Sequence, residues 1–124
     1  ENMRQTYATG VANIVLHVKS ESHFLSIEQA LSCGLLINEC VTNAIKHAFD
    51  KKGGEIFIGF TCKEHHCLLE VRDTGKGLSE TFSWASQTTL GMQLIEGIVR
   101  NQLQGELDYA VHHGTHFRFH FSKE

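Results

Sequence analysis

Residues 38–47 of this 124-residue chain read NECVTNAIKH, a run whose polar side chains recur with the period of a helix. Glu39 and Asn43 are four residues apart, and Lys46 and His47 follow after three and four more. In a helix these spacings place the side chains along one stripe. A carboxylate and an amide oxygen suit hydrated Mg²⁺, and a cationic group suits a polyphosphate. The run therefore predicts either a metal–polyphosphate site or the solvated face of an amphipathic helix.

The elements before and around this run can be predicted from spacing. Apolar alternation over residues 14–18 predicts a strand, and residues 24–27 a short second one. Ser26 is a suitable N-cap for a helix over about residues 28–49. Six apolar residues are expected on or near its buried face: Leu31, Leu35, Leu36, Ala44, Ile45 and Ala48. We expect residues 1–10 to be the tail of an upstream helix, stopped by Gly10.

The second half of the chain predicts two hairpins and a helix. Alternation over residues 56–62 and 69–71 gives the first hairpin, with its turn at 63–66. A helix is expected over 91–103, closed by Gly105. The last two strands are expected at 107–111 and 117–121. This order predicts an α/β (α+β) two-layer sandwich, in which helices cover one face of a mixed, mainly antiparallel sheet. We expect a single domain over residues 1–124.

A second polar segment, VRDTGKGL, occupies residues 71–78. Asp73 ends an apolar strand there, and Gly75 and Gly77 follow. Glycines let the backbone approach a flat ligand closely, and a carboxylate can accept a hydrogen bond from an exocyclic amine. The alternative is an ordinary turn.

Two shorter segments complete the set. Residues 88–92 read TTLGM and begin the predicted second helix. The free N–H groups at the start of a helix can bind a phosphate. The alternative is an ordinary helix of the core. Gly114 and Thr115 begin the final strand, and by themselves they predict only a hairpin turn.

Charge and cysteine content exclude several classes of protein. The net charge of −3 does not favour a nucleic-acid groove or an anionic membrane surface. Apolar runs are shorter than the ~20 residues needed to span a bilayer, so we expect a cytoplasmic, soluble domain. Cys33 and Cys40 lie in the predicted helix, and Cys62 and Cys67 flank a turn, so no disulfide framework is expected. Zinc at Cys62–Cys67 is a weaker alternative, because zinc sites favour shorter cysteine spacings.

Taken together, the four segments resemble the nucleotide-binding (GHKL-type) fold shared by histidine kinases, gyrase, Hsp90 and MutL, with its N box, G1 box and G2 box in order. The phrases NECVTNAIKHAF and LGMQLIEGIVRNQLQGEL are most similar to histidine kinases. The resemblance covers residues 14–121. It implies binding of ATP with Mg²⁺ and donation of the γ-phosphoryl group to a histidine on a separate dimerisation domain. A response regulator would act downstream, and this domain itself is expected to contact neither nucleic acid nor a membrane.

The resemblance also implies roles for individual residues. Asn43 would hold Mg²⁺, with Glu39 as the catalytic position one turn earlier. Asp73 would read the adenine amino group, supported by Thr115. The remaining implied nucleotide contacts are Lys46, His47, Gly75, Gly77, Leu78, Thr89, Leu90, Gly91 and Met92.

The sequence departs from the family pattern in three places. Thr89 stands where the G2 box usually has its earlier glycine. The lid over residues 78–90 is short and has Phe82 and Trp84 but no clear phenylalanine box. No phosphoacceptor helix is recognisable, and His17 lies in a strand pattern that does not suit that role. Two alternatives are an anti-sigma-factor-type serine kinase and the nucleotide-binding module of a degenerate kinase.

Overall fold

A six-stranded sheet organises the part of the chain that the computed structural model describes, residues 2–8, 13–20, 25–45, 54–75, 90–111 and 114–124. The strands are β1 (Asn2–Ala8), β2 (Asn13–Ser20), β3 (Gly54–Lys63), β4 (His66–Asp73), β5 (Glu106–Val111) and β6 (Thr115–Ser122). The helices are α1 (Ile27–Asn43) and α2 (Leu90–Gly97), and a π-helical segment, Ile98–Gln102, continues α2.

The sheet is mixed and mainly antiparallel, as predicted. Its strand order is β1-β2-β3-β4-β6-β5, and only the β2–β3 pair within it is parallel. Side chains alternate across each strand, so one face of the sheet carries the core and the other is open. Both helices pack on the core face of the sheet. The core includes Leu36 of α1, Ile95 of α2 and Val99 of the π-helical segment, which lie against strand residues such as Leu69 and Phe119. The predicted two-layer architecture is confirmed.

Helix α1 lies on the sheet through a stripe that includes two polar side chains. Ser26 caps the helix as predicted, since its hydroxyl accepts from the Gln29 N–H at 3.1 Å. The buried stripe consists of Gln29, Ser32, Cys33, Leu36 and Cys40. Gln29 donates to the Ser122 carbonyl at 2.8 Å and accepts from the Glu124 N–H at 3.2 Å. The Ser32 hydroxyl donates to the Gln102 side chain at 3.0 Å.

The predicted apolar face of this helix was partly wrong. Leu36 and Ala44 are buried, but Leu31 and Leu35 are 64% and 50% exposed. The reason is that the sheet contacts the stripe that begins at Gln29, and Leu31 and Leu35 lie to one side of it. Sequence hydrophobicity favoured the leucines, whereas hydrogen bonds allow Gln29 to be buried instead. Ala48 lies outside the described residues.

The second helix begins at Leu90 and ends differently from the prediction. The residue with left-handed backbone is Gln104, with φ of 52°, and the predicted Gly105 is not left-handed. The Gly105 N–H donates to the Val99 carbonyl at 2.9 Å. A Cβ atom on Gly105 would lie 2.1 Å from the carbonyl oxygen of His120. Gly105 is therefore needed because β6 passes close to it.

The strand predicted over residues 14–18 is confirmed by β2, but the predictions for residues 1–10 and 24–27 were wrong. Asn2–Ala8 forms a strand, β1, and not the tail of a helix. Antiparallel pairing with β2 supplies hydrogen bonds that local sequence cannot reveal, and such pairing overrides local preference. The short strand expected at 24–27 is also absent from its described residues, because Ile27 begins α1. Gly10 and Phe24 lie outside the described residues.

The four cysteines divide into two kinds. Cys33 and Cys40 are buried and free, as expected from the helix. Cys62 and Cys67 face each other across the β3–β4 hairpin and form a disulfide, which corrects the expectation of none. The two cysteines are five positions apart in the sequence, and strand register brings them into contact.

Across the described segments, no helix combines the length and apolar character required to cross a membrane.

Candidate functional site

Glu39 and Asn43 converge on one point at the start of α2. They are half-buried and one helical turn apart on α1. A Cβ atom on Gly91 would lie 3.3 Å from Asn43 Oδ1, Asn43 Nδ2 and Glu39 Oε2. A Cβ atom at that distance would be in tight contact, so the glycine eases the close approach of α2 to these two polar groups. The structure thus brings together three of the predicted site residues.

The beginning of α2 adds backbone donors to this point. The helix begins at Leu90, so Leu90, Gly91 and Met92 form its first turn. N–H groups of a first helical turn lack partners within the helix, and the positive end of the helix dipole lies there. An acid, an amide and a helix N-terminus therefore meet where α1 and α2 approach each other.

Asp73 is fixed at the end of β4 by two backbone N–H groups. Its Oδ1 accepts from Gly75 N–H at 2.9 Å and from Thr115 N–H at 3.3 Å. Burial raises the pKa of Asp73, and the two hydrogen bonds oppose that shift without cancelling it. Because both donors use Oδ1, these hydrogen bonds leave Oδ2 to meet a ligand.

Gly114 makes this arrangement possible. Its φ of 137° is unfavourable for residues with a side chain, and a Cβ atom there would lie 2.0 Å from the Asp73 carbonyl oxygen. The close approach places the buried Thr115 opposite the Asp73 carboxylate. The sequence reasoning treated this glycine only as a turn residue. Its position directly before Thr115 was the available signal.

Thr74 fixes the backbone after Asp73, and this role was also missed. Its hydroxyl accepts from the Glu55 N–H at 2.9 Å, and its own N–H donates to the Glu55 carbonyl at 3.0 Å. Both bonds tie residue 74 to the start of β3. The backbone between Asp73 and Gly75 is therefore anchored to β3.

Cys40 connects the two halves of the site. It is buried on α1, next to Glu39 in sequence. Burial raises the pKa of its thiol, and the negative charges of Glu39 and Asp73 raise it further. Helix α1 contacts β4, and Cys40 belongs to the same core cluster as Val71 near the end of that strand. Sequence reasoning assigned Cys40 only to the helix core.

Several predicted residues cannot be placed. Lys46, His47, Gly77, Leu78 and Thr89 lie outside the described residues, as does the lid with Phe82 and Trp84. His17, which was judged unsuitable as a phosphoacceptor, lies on β2 with its Nε2 2.7 Å from Glu55 Oε2 and its ring stacked on Phe57.

The donor set suits a hard cation. Asn43 and Glu39 offer amide and carboxylate oxygens around one point, and Mg²⁺ needs only one or two such oxygens because it keeps several waters. Within the described ranges, no three His, Cys, Asp or Glu residues gather to hold a metal by themselves. The chemistry fits an ion shared with a phosphate ligand and does not fit a closed protein cage.

A mainly antiparallel sheet with helices on one face, and polar side chains of α1 at the start of α2, are the features of a nucleotide-binding domain of the GHKL type. Residues 28–124 match the family described as histidine kinase-, DNA gyrase B-, and HSP90-like ATPase. The chain belongs to this family of ATP-binding domains.

The named relatives that match about two thirds or more of this chain are histidine kinases. The chain is 29% identical to blue-light-activated histidine kinase 2 of Erythrobacter litoralis, over 73% of this chain and 27% of the relative. It is 33% identical to the sensor histidine kinase PdtaS of Mycobacterium tuberculosis, over 67% of this chain and 17% of that protein. The chain therefore spans about a quarter or less of the length of these relatives.

Solved structures agree with the fold. The blue-light activated histidine kinase EL346 of Erythrobacter litoralis superposes with a TM-score of 0.79 at 26% identity, over 87% of this chain and 35% of that one. A shorter sequence match, at 37% identity, covers 36% of this chain and 32% of the anti-sigma F factor of Bacillus licheniformis.

Proposed function

We propose that this domain binds ATP with Mg²⁺ and donates the γ-phosphoryl group to a histidine on a separate dimerisation and phosphoacceptor domain. The observation that carries the proposal is the convergence of Asn43 and Glu39 on Gly91 at the start of α2. Sensor histidine kinases among the relatives support the acceptor class. A response regulator would receive the phosphoryl group next, and the need for ATP places the reaction in the cytoplasm.

The adenine end of the ligand belongs at Asp73 in this proposal. A carboxylate accepts hydrogen bonds, so it suits the amino group of adenine and disfavours the keto oxygen of guanine. The Thr115 and Gly75 N–H groups hold Oδ1, which leaves Oδ2 for the base. Gly75 and Gly77 would lie beneath the ring, with His47 near the ribose.

The phosphate end belongs at the start of α2, beside Glu39 and Asn43. Asn43 would supply an oxygen to Mg²⁺, and Glu39 would orient the surrounding water. Gly91, with Leu90 and Met92, would present backbone N–H groups to the phosphates, and Lys46 would add positive charge. Leu78 and Thr89 would complete the contacts. When bound, Mg²⁺ neutralises phosphate charge, and phosphoryl transfer depends mainly on such neutralisation and on positioning.

Transfer in trans tests the proposal. The chain would be mixed with labelled ATP, Mg²⁺ and a histidine kinase dimerisation domain that matches it. The expected product is an acid-labile phosphohistidine on the added domain, strongly reduced with Asn43→Ala. Asn38→Ala is the matched control, because Asn38 is an exposed amide on the same helix. Phosphorylation of a histidine in this chain, or full activity of Asn43→Ala, would contradict the proposal.

A serine kinase of the anti-sigma-factor type is the second candidate, favoured only by the short local match to anti-sigma F factor. The two functions differ in the stability of the product. Phosphoserine survives acid treatment, whereas phosphohistidine does not. An acid-stable product on a small antagonist protein would select the serine kinase.

A further inference from the structure

The open face of the sheet carries four described histidines, each on a strand: His17, His66, His116 and His120. Two of them pair with single carboxylates, since His17 Nε2 lies 2.7 Å from Glu55 Oε2 and His116 Nε2 lies 3.2 Å from Glu70 Oε1. The other two face each other. His120 Nδ1 lies 3.4 Å from His66 Nε2, and their ring centroids are 5.5 Å apart.

Strand register holds this pair in place. His66 pairs with Ser122, and His120 pairs with Leu68, so the two histidines are diagonal neighbours on β4 and β6. Both side chains point to the open face, away from the core residues Cys67 and Phe121. The ring nitrogens are therefore brought together by two hydrogen-bonded strands and not by a loop.

A carboxylate lies beside the nitrogen of the His120 ring that faces away from His66. Asp108 Oδ2 lies 3.2 Å from His120 Nε2, and its Oδ1 accepts from Arg118 Nε. When His120 carries its proton on Nε2, that N–H donates a hydrogen bond to the carboxylate, and the lone pair of Nδ1 is left toward His66. A carboxylate on the far nitrogen is the arrangement that orients metal-binding histidines.

The distance between the facing nitrogens matches a tetrahedral metal. Zinc binds histidine nitrogen at about 2.0–2.1 Å, so two nitrogens at the tetrahedral angle are about 3.3–3.4 Å apart. The observed separation is 3.4 Å. Imidazole is a preferred ligand for zinc, copper and nickel and a poor one for Mg²⁺.

We propose that His66 and His120 bind one divalent transition-metal ion of the zinc, copper and nickel class, with Asp108 as the positioning residue. Two protein ligands leave the other coordination positions to water or to a partner's ligand, in keeping with the absence of a three-ligand group from the described ranges. The site lies on the open face, on the opposite side of the sheet from α1 and α2. It is independent of the proposed kinase function, and the bound ion would cross-link β4 to β6.

Calorimetric titration with Zn²⁺ tests the site. Without reductant, Cys62 and Cys67 stay in their disulfide and do not compete. The wild-type chain is expected to show a binding site that disappears in both His66→Ala and His120→Ala. Asp108→Ala should retain the site with about 10- to 100-fold weaker affinity, the usual cost of losing such a carboxylate.

Two control variants distinguish this site from general binding by surface histidines. His116→Ala removes a histidine from the same strand and face, and His65→Ala removes the neighbour of His66 in the turn. Both should bind Zn²⁺ as the wild type does. A melting-temperature rise with Zn²⁺ in the wild type and controls, but not in His66→Ala or His120→Ala, would confirm the cross-link. Unchanged Zn²⁺ binding in those two variants, or equal loss in His116→Ala, would overturn the proposal.

Discussion

Gly114 and Asp73 are in such close contact that a Cβ atom on Gly114 would lie 2.0 Å from the Asp73 carbonyl oxygen. Asp73 ends β4 and Gly114 directly precedes β6, and their contact brings the Thr115 N–H within 3.3 Å of the Asp73 carboxylate. Gly114, directly before β6, is therefore part of the candidate adenine site.

This contact predicts the effect of a single methyl group. Gly114→Ala should destabilise the fold by at least about 1–3 kcal/mol, because φ of 137° is strained for alanine even before the clash is counted. ATP affinity should fall with it, since the Thr115 N–H moves away from Asp73. Denaturant unfolding and ATP titration measure the two effects.

Gly34→Ala is the matched control. Gly34 lies in α1, and a Cβ atom there would meet nothing within 4 Å. Alanine favours a helix over glycine by about 1 kcal/mol, so this variant should be stabilised and should bind ATP normally. A Gly114→Ala variant as stable as wild type would show that the contact is not constraining.

The polar stripe of α1 predicts a metal-dependent phenotype. Asn43→Ala should weaken ATP binding in the presence of Mg²⁺ and change it little in EDTA, because the lost amide oxygen serves the ion. Asn38→Ala, from the exposed side of the helix, should match the wild type in both conditions. Calorimetry with and without Mg²⁺ decides the matter, and equal losses in both would refute the assignment.

The buried Gln29 predicts a stability effect far from the site. Its amide bonds to the Ser122 carbonyl and to the Glu124 N–H, and it is 3% exposed. Gln29→Ala should cost about 1–3 kcal/mol, because these groups lose their partner in a buried setting. Its exposed neighbour provides the control, as Glu28→Ala should change stability by less than about 0.5 kcal/mol. Equal unfolding free energies for the two variants would contradict this explanation.

Elements with strong periodicity could be predicted from the sequence. The β3–β4 and β5–β6 hairpins, the cap at Ser26 and the start of α2 beside Gly91 all follow from local spacing. β1 could not be predicted, because its hydrogen bonds come from β2. The Cys62–Cys67 disulfide depends on strand register, and the exposure of Leu31 depends on how α1 lies on the sheet.

The residues of the candidate site likewise divide into those that local patterns predict and those that depend on contacts between distant elements. Residue types and order predicted Glu39, Asn43, Asp73 and Gly91, because each sits at a helix or strand position that local patterns reveal. The contributions of Gly114, Thr74 and Cys40 depend on distances between elements remote in sequence. Motif spacing contains no information about those distances.

The environment of Asp73 predicts that it lowers the stability of the fold. Burial raises its pKa above the unfolded value, so the folded chain holds the proton more tightly. Stability therefore falls as pH rises through the window between the two pKa values, and the loss is complete above the folded one. Asp73→Asn removes the charge and should raise the melting temperature at neutral pH, but not at a pH below both pKa values. A lower melting temperature at neutral pH would indicate a structural role instead.

The ATP-to-GTP affinity ratio of wild type and Asp73→Asn is the most direct test of the adenine site. Backbone N–H groups hold Oδ1, so an asparagine would keep its oxygen there and turn its NH₂ group toward the base. That group donates, so it repels the adenine amino group and suits the guanine keto oxygen. A charge-assisted bond of about 1.5–3 kcal/mol corresponds to roughly a 10- to 150-fold loss of ATP affinity. We expect wild type to prefer ATP and the variant to lose or reverse that preference, whereas an unchanged ratio in a folded variant would contradict the assignment of Asp73 to the adenine base.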